Sequence, residues 1–154
     1  MKETSDEKNI TVNRKATHEY FIVQSMEAGV SLLGTEVKSC RQGKANLTDA
    51  YATVRDGEVW LMNCHISHYD RGNINNHDPI RKRRLLLKKS EIRKLRIKTN
   101  EKGHTIVPLR LYFKTGKVKV ELALARGKKS YDKRESIAKK DAKRDLERSL
   151  KLKL

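Results

Sequence analysis

The chain has 154 residues, with 36 Lys and Arg against 19 Asp and Glu, for a net charge of +17. So large a positive excess points to a phosphate backbone as partner, and the length to one domain with tails. No apolar run approaches the ~18 residues of a membrane span, and Met1 to Asp6 lack the apolar stretch of a secretory signal.

In chain order, residues 1–12 are polar and read as a disordered arm. His18 to Val23 is a short β-rich run, with Tyr20 and Ile22 on one face and Phe21 and Val23 on the other. Glu27-Ala28-Gly29-Val30 reads as a glycine bend. Thr35 to Lys38 opens a short helix that Gly43 ends. Ala50–Val54 and Glu58–Met62 flank Asp56-Gly57, the pair that favours a tight hairpin because both residues tolerate positive φ. Trp60, in a strand beside Met62, reads as core. Residues 70–84 form a loop containing Asn75-Asn76-His77-Asp78-Pro79. Ser90 is placed to N-cap a helix with Ile92 and Leu95 inward. A longer hairpin follows around Thr115-Gly116: Leu109, Leu111 and Phe113, then Val118, Val120, Leu122 and Leu124, make an apolar face. Arg110, Tyr112, Lys114, Lys117, Lys119, Glu121 and Ala123 lie on the other.

Several short strands without a βαβ rhythm predict a mainly β fold, an OB-like six-stranded antiparallel barrel over 13–127 with short helices. From Gly127 on, eleven Lys and Arg stand against five acids. This tail (128–154) reads as largely disordered until a polyanion orders it. It is nonetheless helix-competent: Asp132 and Glu135 resemble a capping box, and Glu135–Lys139 and Glu147–Lys151 are i,i+4 pairs.

A set of motifs in register is more specific. Asn13-Arg14-Lys15-Ala16 and His18-Glu19-Tyr20 precede Glu27-Ala28-Gly29, Gly34-Thr35-Glu36-Val37-Lys38-Ser39 and Arg41-Gln42-Gly43-Lys44-Ala45-Asn46. Asp78-Pro79, Arg83-Arg84-Leu85-Leu86-Leu87, Tyr112, Lys119-Val120, Gly127-Lys128-Lys129 and Tyr131-Asp132-Lys133-Arg134 follow. Over nearly the whole chain this resembles the SsrA-binding protein (small protein B) family, bacterial partners of transfer-messenger RNA in rescue of stalled ribosomes. The resemblance implies binding to the tRNA-like domain of that RNA and a tail that enters the empty mRNA channel near the decoding centre. It implies a cytoplasmic adaptor without catalytic residues or cofactor, acting as a monomer, with elongation factor Tu and alanyl-tRNA synthetase met through the charged RNA.

On that resemblance Asn13, Arg14, Lys15, His18, Tyr20 and Glu27 form one RNA-facing surface. Arg14 and Lys15 would neutralise phosphates and Tyr20 would stack on an unpaired base; a core aromatic at Tyr20 and a loop ion pair at Glu27 are the plainer alternatives. Arg81, Lys82, Arg83 and Arg84, with Leu86 and Lys88, sit where OB-like barrels present nucleic-acid contacts, although a solvated charged face would look the same. Lys119 projects from the polar face of its strand, and Lys38, Lys44 and Asn46 belong to the same set. In the tail, Lys128, Lys129, Lys133 and Arg134 would meet rRNA phosphates and Tyr131 would stack, with Gly127, Asp132, Lys139 and Lys140 in the same ribosome-binding set.

Cys64, His65, His68 and His77 offer no compact metal-ligand pair, because Cys64 and Ile66 share one strand face and His65 takes the other; the histidines read as surface imidazoles. Nothing pairs with His77 and Asp78 for nuclease chemistry. Cys40 and Cys64 are too few for a disulfide framework. The competing reading is a general OB-type or ribosomal RNA-binding protein.

Overall fold

The computed structural model describes residues 7–71, 76–101, 103–128 and 130–152; within the last helix the side chains described are those of 137–150. The elements are β1 (Glu7–Val12), α1 (Arg14–Glu19), β2 (Tyr20–Val30), α2 (Gly34–Arg41), β3 (Ala45–Asn46), β4 (Tyr51–Arg55), β5 (Glu58–Met62), β6 (His65–Ile66), β7 (Arg83–Leu86), α3 (Lys89–Thr99), β8 (His104–Lys114), β9 (Lys117–Gly127) and α4 (Ser130–Leu152). Six strands close a ring in the order β8-β4-β5-β7-β2-β9, with β9 returning to β8 and β1 added along the far end of β8. The pairing is uneven. β2 and β9 pair along their whole lengths, whereas β4 meets β8 only at Ala52 and Ile106, and β2 meets β7 only at Gly29 and Val30. Helix α3 packs against β4, β8 and β9, and its Leu95 enters the core.

Both long hairpins turn on two residues of positive φ: Asp56 and Gly57 at 53° and 74°, Thr115 and Gly116 at 53° and 76°. That twist matches the right-handed twist of the flanking strands. Helix α2 ends as expected before Gly43 (φ 71°). The α3 cap lies earlier than Ser90: Lys88 is the cap residue, and Glu91 Oε1 accepts from its backbone N–H at 3.1 Å.

Several expectations are corrected. Residues 7–12 are a strand, because Arg110 binds Glu7 and Asn9 while Ile10 packs on the core; the acids and amides that looked like a solvated arm are its partners. Residues 1–6 lie outside the described residues. His18 is helical, and Glu27 to Val30 continue β2 without a bend. Trp60 faces outward under the Lys82 ammonium, 5.0 Å from its ring centroid, because Val59 and Leu61 hold the inward positions. Leu109 leaves the main core: the ladder shifts between Pro108 and Arg110, so Val107, Ala123 and Ala125 form a second cluster with Ala16, against which Tyr20 and Leu109 pack. β8 and β9 are therefore buried on both faces at that end. The tail is helical from Ser130, two residues ahead of the Asp132 expected to cap it, and its side chains over 137–150 are all exposed and add nothing to the core.

His77 is another correction. It is buried, its Nε2 donating to the Ile66 carbonyl at 2.8 Å and its Nδ1 2.9 Å from Thr35 Oγ1, so it pins the loop to α2. Cys40 and Cys64 are buried free thiols, pushed by burial up to about 12 and about 11.

The dominant polar feature of the interior is Glu36, 0% exposed, facing Arg83, also 0% exposed. Arg83 Nε donates to Glu36 Oε2 at 2.5 Å, and Arg81 Nη2 donates to Oε1 at 2.6 Å. Burial alone would raise the Glu36 pKa; the Arg81 and Leu33 hydrogen bonds and the Arg83 charge outweigh it and hold it below the ordinary 4.5. E36Q is expected to lower the unfolding free energy by about 3–5 kcal/mol, since it strands a buried guanidinium. The pair's contribution is complete above the ordinary 4.5 and lost as pH falls through the lower folded value. Denaturant titrations across that range should show wild type losing stability there and E36Q losing less; parallel curves would exclude the pair as the cause.

Candidate nucleic-acid interface

The hydrogen-bonding register brings residues distant in sequence to one place. Lys119 of β9 lies opposite Gly29 of β2 on one side and Tyr112 of β8 on the other. Beyond Gly29, Leu86 of β7 is its cross-strand partner. A Cβ at Gly29 would stand 3.3 Å from Leu86 Cβ, so glycine gives β7 room to approach. Between these strands and the start of α3 runs an open cleft of about 590 Å³. Glu27, Arg84, Leu86, Lys88 and Lys119 line it, together with Lys89 and Ile92. Five residues expected from the sequence are therefore assembled in one site.

Strand alternation explains which groups of the basic run reach it. Arg83 and Leu85 point inward, leaving Arg84 and a half-exposed Leu86 (50%) outward. Arg84 Nη1 is 3.3 Å from Glu58 Oε1 across β5. Lys82 is exposed over Trp60, whereas Arg81 is engaged by Glu36 and Ser31. The run Arg81 to Arg84 is thus not a uniform solvated face: Arg81 and Arg83 are structural, Lys82 and Arg84 remain at the surface.

Glu27 is held by its neighbours. Tyr112 Oη donates to Oε2 at 2.5 Å and Lys114 Nζ approaches it at 3.2 Å. The Tyr112 hydrogen bond is the largest influence holding the Glu27 pKa below its usual value, with Lys114 and Lys119 adding to it against burial. Burial first, then the Glu27 carboxylate, push the Tyr112 phenol upward. Arg110 lies 3.9 Å over the Tyr112 ring and donates to Glu121 and Glu7 at 2.8 and 3.1 Å. Burial opposes the Arg110 charge, but those carboxylates more than compensate and raise its pKa. Tyr112, Arg110 and Lys114 were not read as site residues from the sequence; alternation places them on the face of Lys119, the signal that would have found them.

The other expected residues fall elsewhere. Tyr20 and Glu27 are seven residues apart on one strand, roughly 23 Å at 3.3 Å per residue, so they do not form one surface. Asn13 is buried, its Nδ2 donating to the Pro108 carbonyl at 2.9 Å. Arg14 is exposed, Lys15 lies 3.6 Å from Glu19, and His18 and Tyr20 are half-buried. Lys38 sits over the Tyr69 ring, Lys44 pairs with Asp70, and Asn46 Oδ1 accepts from Thr48 in a local turn. These three stand apart from the cleft lining. Gly127 ends β9; the Lys128 backbone N–H donates to the Glu19 carbonyl at 2.9 Å, and its ammonium to the Thr17 carbonyl. Lys139 and Lys140 are exposed on α4. Lys129 and the side chains of Tyr131, Asp132, Lys133 and Arg134 lie outside the described residues. Among the described residues no group of three His, Cys, Asp or Glu is placed to hold a metal, and no helix is long and apolar enough to cross a membrane.

Residues 10–152 match the family model described as SmpB protein. The chain belongs to the SmpB family. The SsrA-binding protein of Symbiobacterium thermophilum is 57% identical over 143 residues, covering 92% of this chain and 90% of that one. The SsrA-binding protein of Syntrophomonas wolfei is 58% identical over 144 residues, covering 94% and 92%. A solved chain described under "tmRNA-SmpB: a journey to the center of the bacterial ribosome" is 50% identical, with a TM-score of 0.66 over 78% of this chain and 85% of that one. The cleft thus sets Arg84, Lys88, Lys89 and Lys119, among Glu27, Glu58 and Glu91, around apolar Leu86 and Ile92 on an SmpB fold, with cations suited to phosphates and apolar surface suited to sugar or base.

K119A is expected to weaken binding to structured RNA across sequences and to reduce the slope of log K against log salt by about one. Fluorescence anisotropy over a salt series measures it; an unchanged slope would remove Lys119 from the interface.

Proposed function

We propose that the chain is an RNA-binding adaptor that holds the tRNA-like domain of transfer-messenger RNA in the cleft and delivers it to stalled ribosomes for trans-translation. The observation that carries this reading is the convergence of Glu27, Arg84, Leu86, Lys88 and Lys119 on one cleft in a member of the SmpB family. The relatives named above bind SsrA RNA by name, and the structural neighbour is described with transfer-messenger RNA on the ribosome. The protein acts as a monomer in the cytoplasm, and elongation factor Tu and alanyl-tRNA synthetase reach it through the charged RNA. It contributes no reaction chemistry; affinity comes mainly from phosphate neutralisation and falls steeply with salt.

α4 is the second working part. A 23-residue helix extends roughly 35 Å at 1.5 Å per residue. Lys139, Lys140, Lys143, Arg144 and Arg148 are exposed along it, as are Ile137, Leu146 and Leu150. This helix enters the vacant mRNA channel, where Lys and Arg meet rRNA phosphates, so that delivery is confined to ribosomes without message beyond the decoding centre.

Two measurements test the proposal. At ~150 mM salt, where non-specific phosphate binding is weakened, labelled transfer-messenger RNA should stay bound against excess bulk tRNA. Competition in proportion to phosphate would leave only a general OB-type RNA binder. Deleting residues 131–154 should leave RNA affinity nearly unchanged and abolish peptide tagging on stalled ribosomes. Equal loss of both would overturn the division into cleft and tail.

A further inference from the structure

Strand β2 is left without a partner along most of one edge. It pairs with β9 from Tyr20 to Gly29, but on its other side it meets β7 only at Gly29 and Val30, because the chain turns from β7 into α3. Among the described residues no strand pairs with Phe21 to Met26 on that side. Exposed sheet edges are commonly blunted by lysine, proline or a bulge. Phe21 to Met26 holds no charged residue and no proline, and the bulge between Ile22 and Gln24 is its one such feature. Phe21, Ile22 and Val23 are nonetheless 40%, 39% and 54% exposed.

Helix α3 lies along this edge. A pocket of about 130 Å³ opens between them, with Gln24 and Met26 of β2 on one wall and Lys94 and Lys98 of α3 on the other. Leu95 and Leu124 close its back and are almost wholly buried, so a side chain entering it meets the Met26 thioether and the aliphatic stems of the two lysines. The surroundings are cationic. α3 carries five Lys and Arg against one Glu. That Glu91 already accepts from the Lys88 backbone N–H, and Glu101 beyond the helix lies 3.6 Å from Lys98. At the far end of the edge the exposed Arg126 stands over the Phe21 ring, 5.9 Å from its centroid.

Strand addition is the recognition mode that uses these parts, with main-chain hydrogen bonds along an open edge and a pocket for alternate side chains. Exposed apolar side chains beside an unpaired main chain favour a polypeptide over a phosphate chain, and the surrounding cations favour an acidic one. A second copy of this chain would bring a further +17 against the patch. We propose that the edge of β2 from Phe21 to Met26, with the groove beside α3, takes an extended acidic segment of a partner protein as an added strand. Apolar side chains of that segment enter the pocket against Met26, and the carboxylates between them meet Lys94, Lys98 and Arg126. This protein-binding edge is separate from the RNA-binding cleft and does not rest on that reading.

The test uses the full chain, ¹⁵N-labelled, titrated with a heptapeptide alternating Asp and Val and followed by NMR. The same peptide N-methylated throughout keeps the charge and loses the main-chain donors, which separates strand addition from plain attraction to a basic surface. The acidic peptide should give saturable shifts at the amides of Phe21 to Met26 and of Lys94 and Lys98, with the N-methylated one weaker by roughly tenfold or more. K94E/K98E, changed at two exposed positions, should keep the dispersed spectrum and weaken the acidic peptide by roughly fivefold or more. Scattered shifts without saturation at about 1 mM peptide, equal binding by the N-methylated peptide, or K94E/K98E binding like wild type would each overturn the proposal. So would tighter occupancy of Phe21 to Met26 by a uridine hexanucleotide, which makes the edge an RNA contact, or a concentration-dependent dimer that protects those amides, which makes it a self-pairing edge. The competition assay keeps the two readings apart. If the peptide fails while transfer-messenger RNA resists bulk tRNA, the edge proposal alone falls; if the peptide binds at β2 while that resistance is absent, the adaptor reading alone falls.

Discussion

The buried ion pair between Glu36 and Arg83 sets the geometry on which the cleft depends. Arg83 opens β7, and its guanidinium also donates to the carbonyls of Cys64 and Pro79, so one side chain ties α2, the segment after β5 and the loop before β7. Because side chains alternate along a strand, fixing Arg83 inward fixes Leu85 inward and Arg84 and Leu86 outward. A slip of one residue would bury Arg84 and Leu86 and turn the guanidinium to solvent. Desolvating two charges is costly, and an apolar pair of similar volume would often be at least as stable. The return lies in register. β7 is only four residues long and meets β5 at three positions and β2 at two, so its ladder is a short constraint on its phase. The ion pair adds to that constraint.

A second network does comparable work on the other wall. In a chain of +17, carboxylates near the interface reduce attraction for RNA, yet Glu7, Glu27 and Glu121 all sit on the sheet face adjoining Lys119. Their hydrogen bonds show why this is tolerated. Glu27 holds Tyr112 and Lys114, and Glu7 and Glu121 hold Arg110 over the Tyr112 ring. Long cationic side chains lose about 1.5–2 kcal/mol of rotamer freedom when ordered; carboxylates that order them beforehand spare that loss on binding. The face gives up some net charge for fixed positions of the charges that remain.

The features legible in the sequence are those set by neighbours in the chain. Asp56-Gly57 and Thr115-Gly116 announce their hairpins because positive φ is a local demand, and α2 ends at Gly43 for the same reason. What escaped reading depends on partners far away. β1 is ordered by Arg110, about a hundred residues on; His77 is buried by Thr35 and Ile66; Arg83 is buried by Glu36; and a bulge near Leu109 moves that residue to another cluster. A run of four basic residues cannot reveal which two face a buried carboxylate. The site residues of the cleft came from motifs in register, and the structure brings Glu27, Leu86 and Lys119 together through the pairings of β2 with β7 and β9. The same pairings separate Tyr20 from them.

That separation has a geometric consequence for the tail. β2 and β9 run antiparallel along their full lengths, placing Lys119 beside Gly29 at one end and Gly127 beside Tyr20 at the other. The eight residues from Lys119 to Gly127 span roughly 26 Å at 3.3 Å per residue. The cleft thus lies at one end of the hairpin, and α4 departs from the other. The root of α4 does not depart freely, because the Lys128 backbone N–H is bonded to the Glu19 carbonyl and the Lys128 ammonium to that of Thr17, both in α1. The Glu19 backbone fixes where the tail leaves the body. The paired strands β2 and β9 therefore set the distance between the cleft and the root of α4, and α1 sets where the tail leaves the body, so that spacing follows from strand length and not from linker composition.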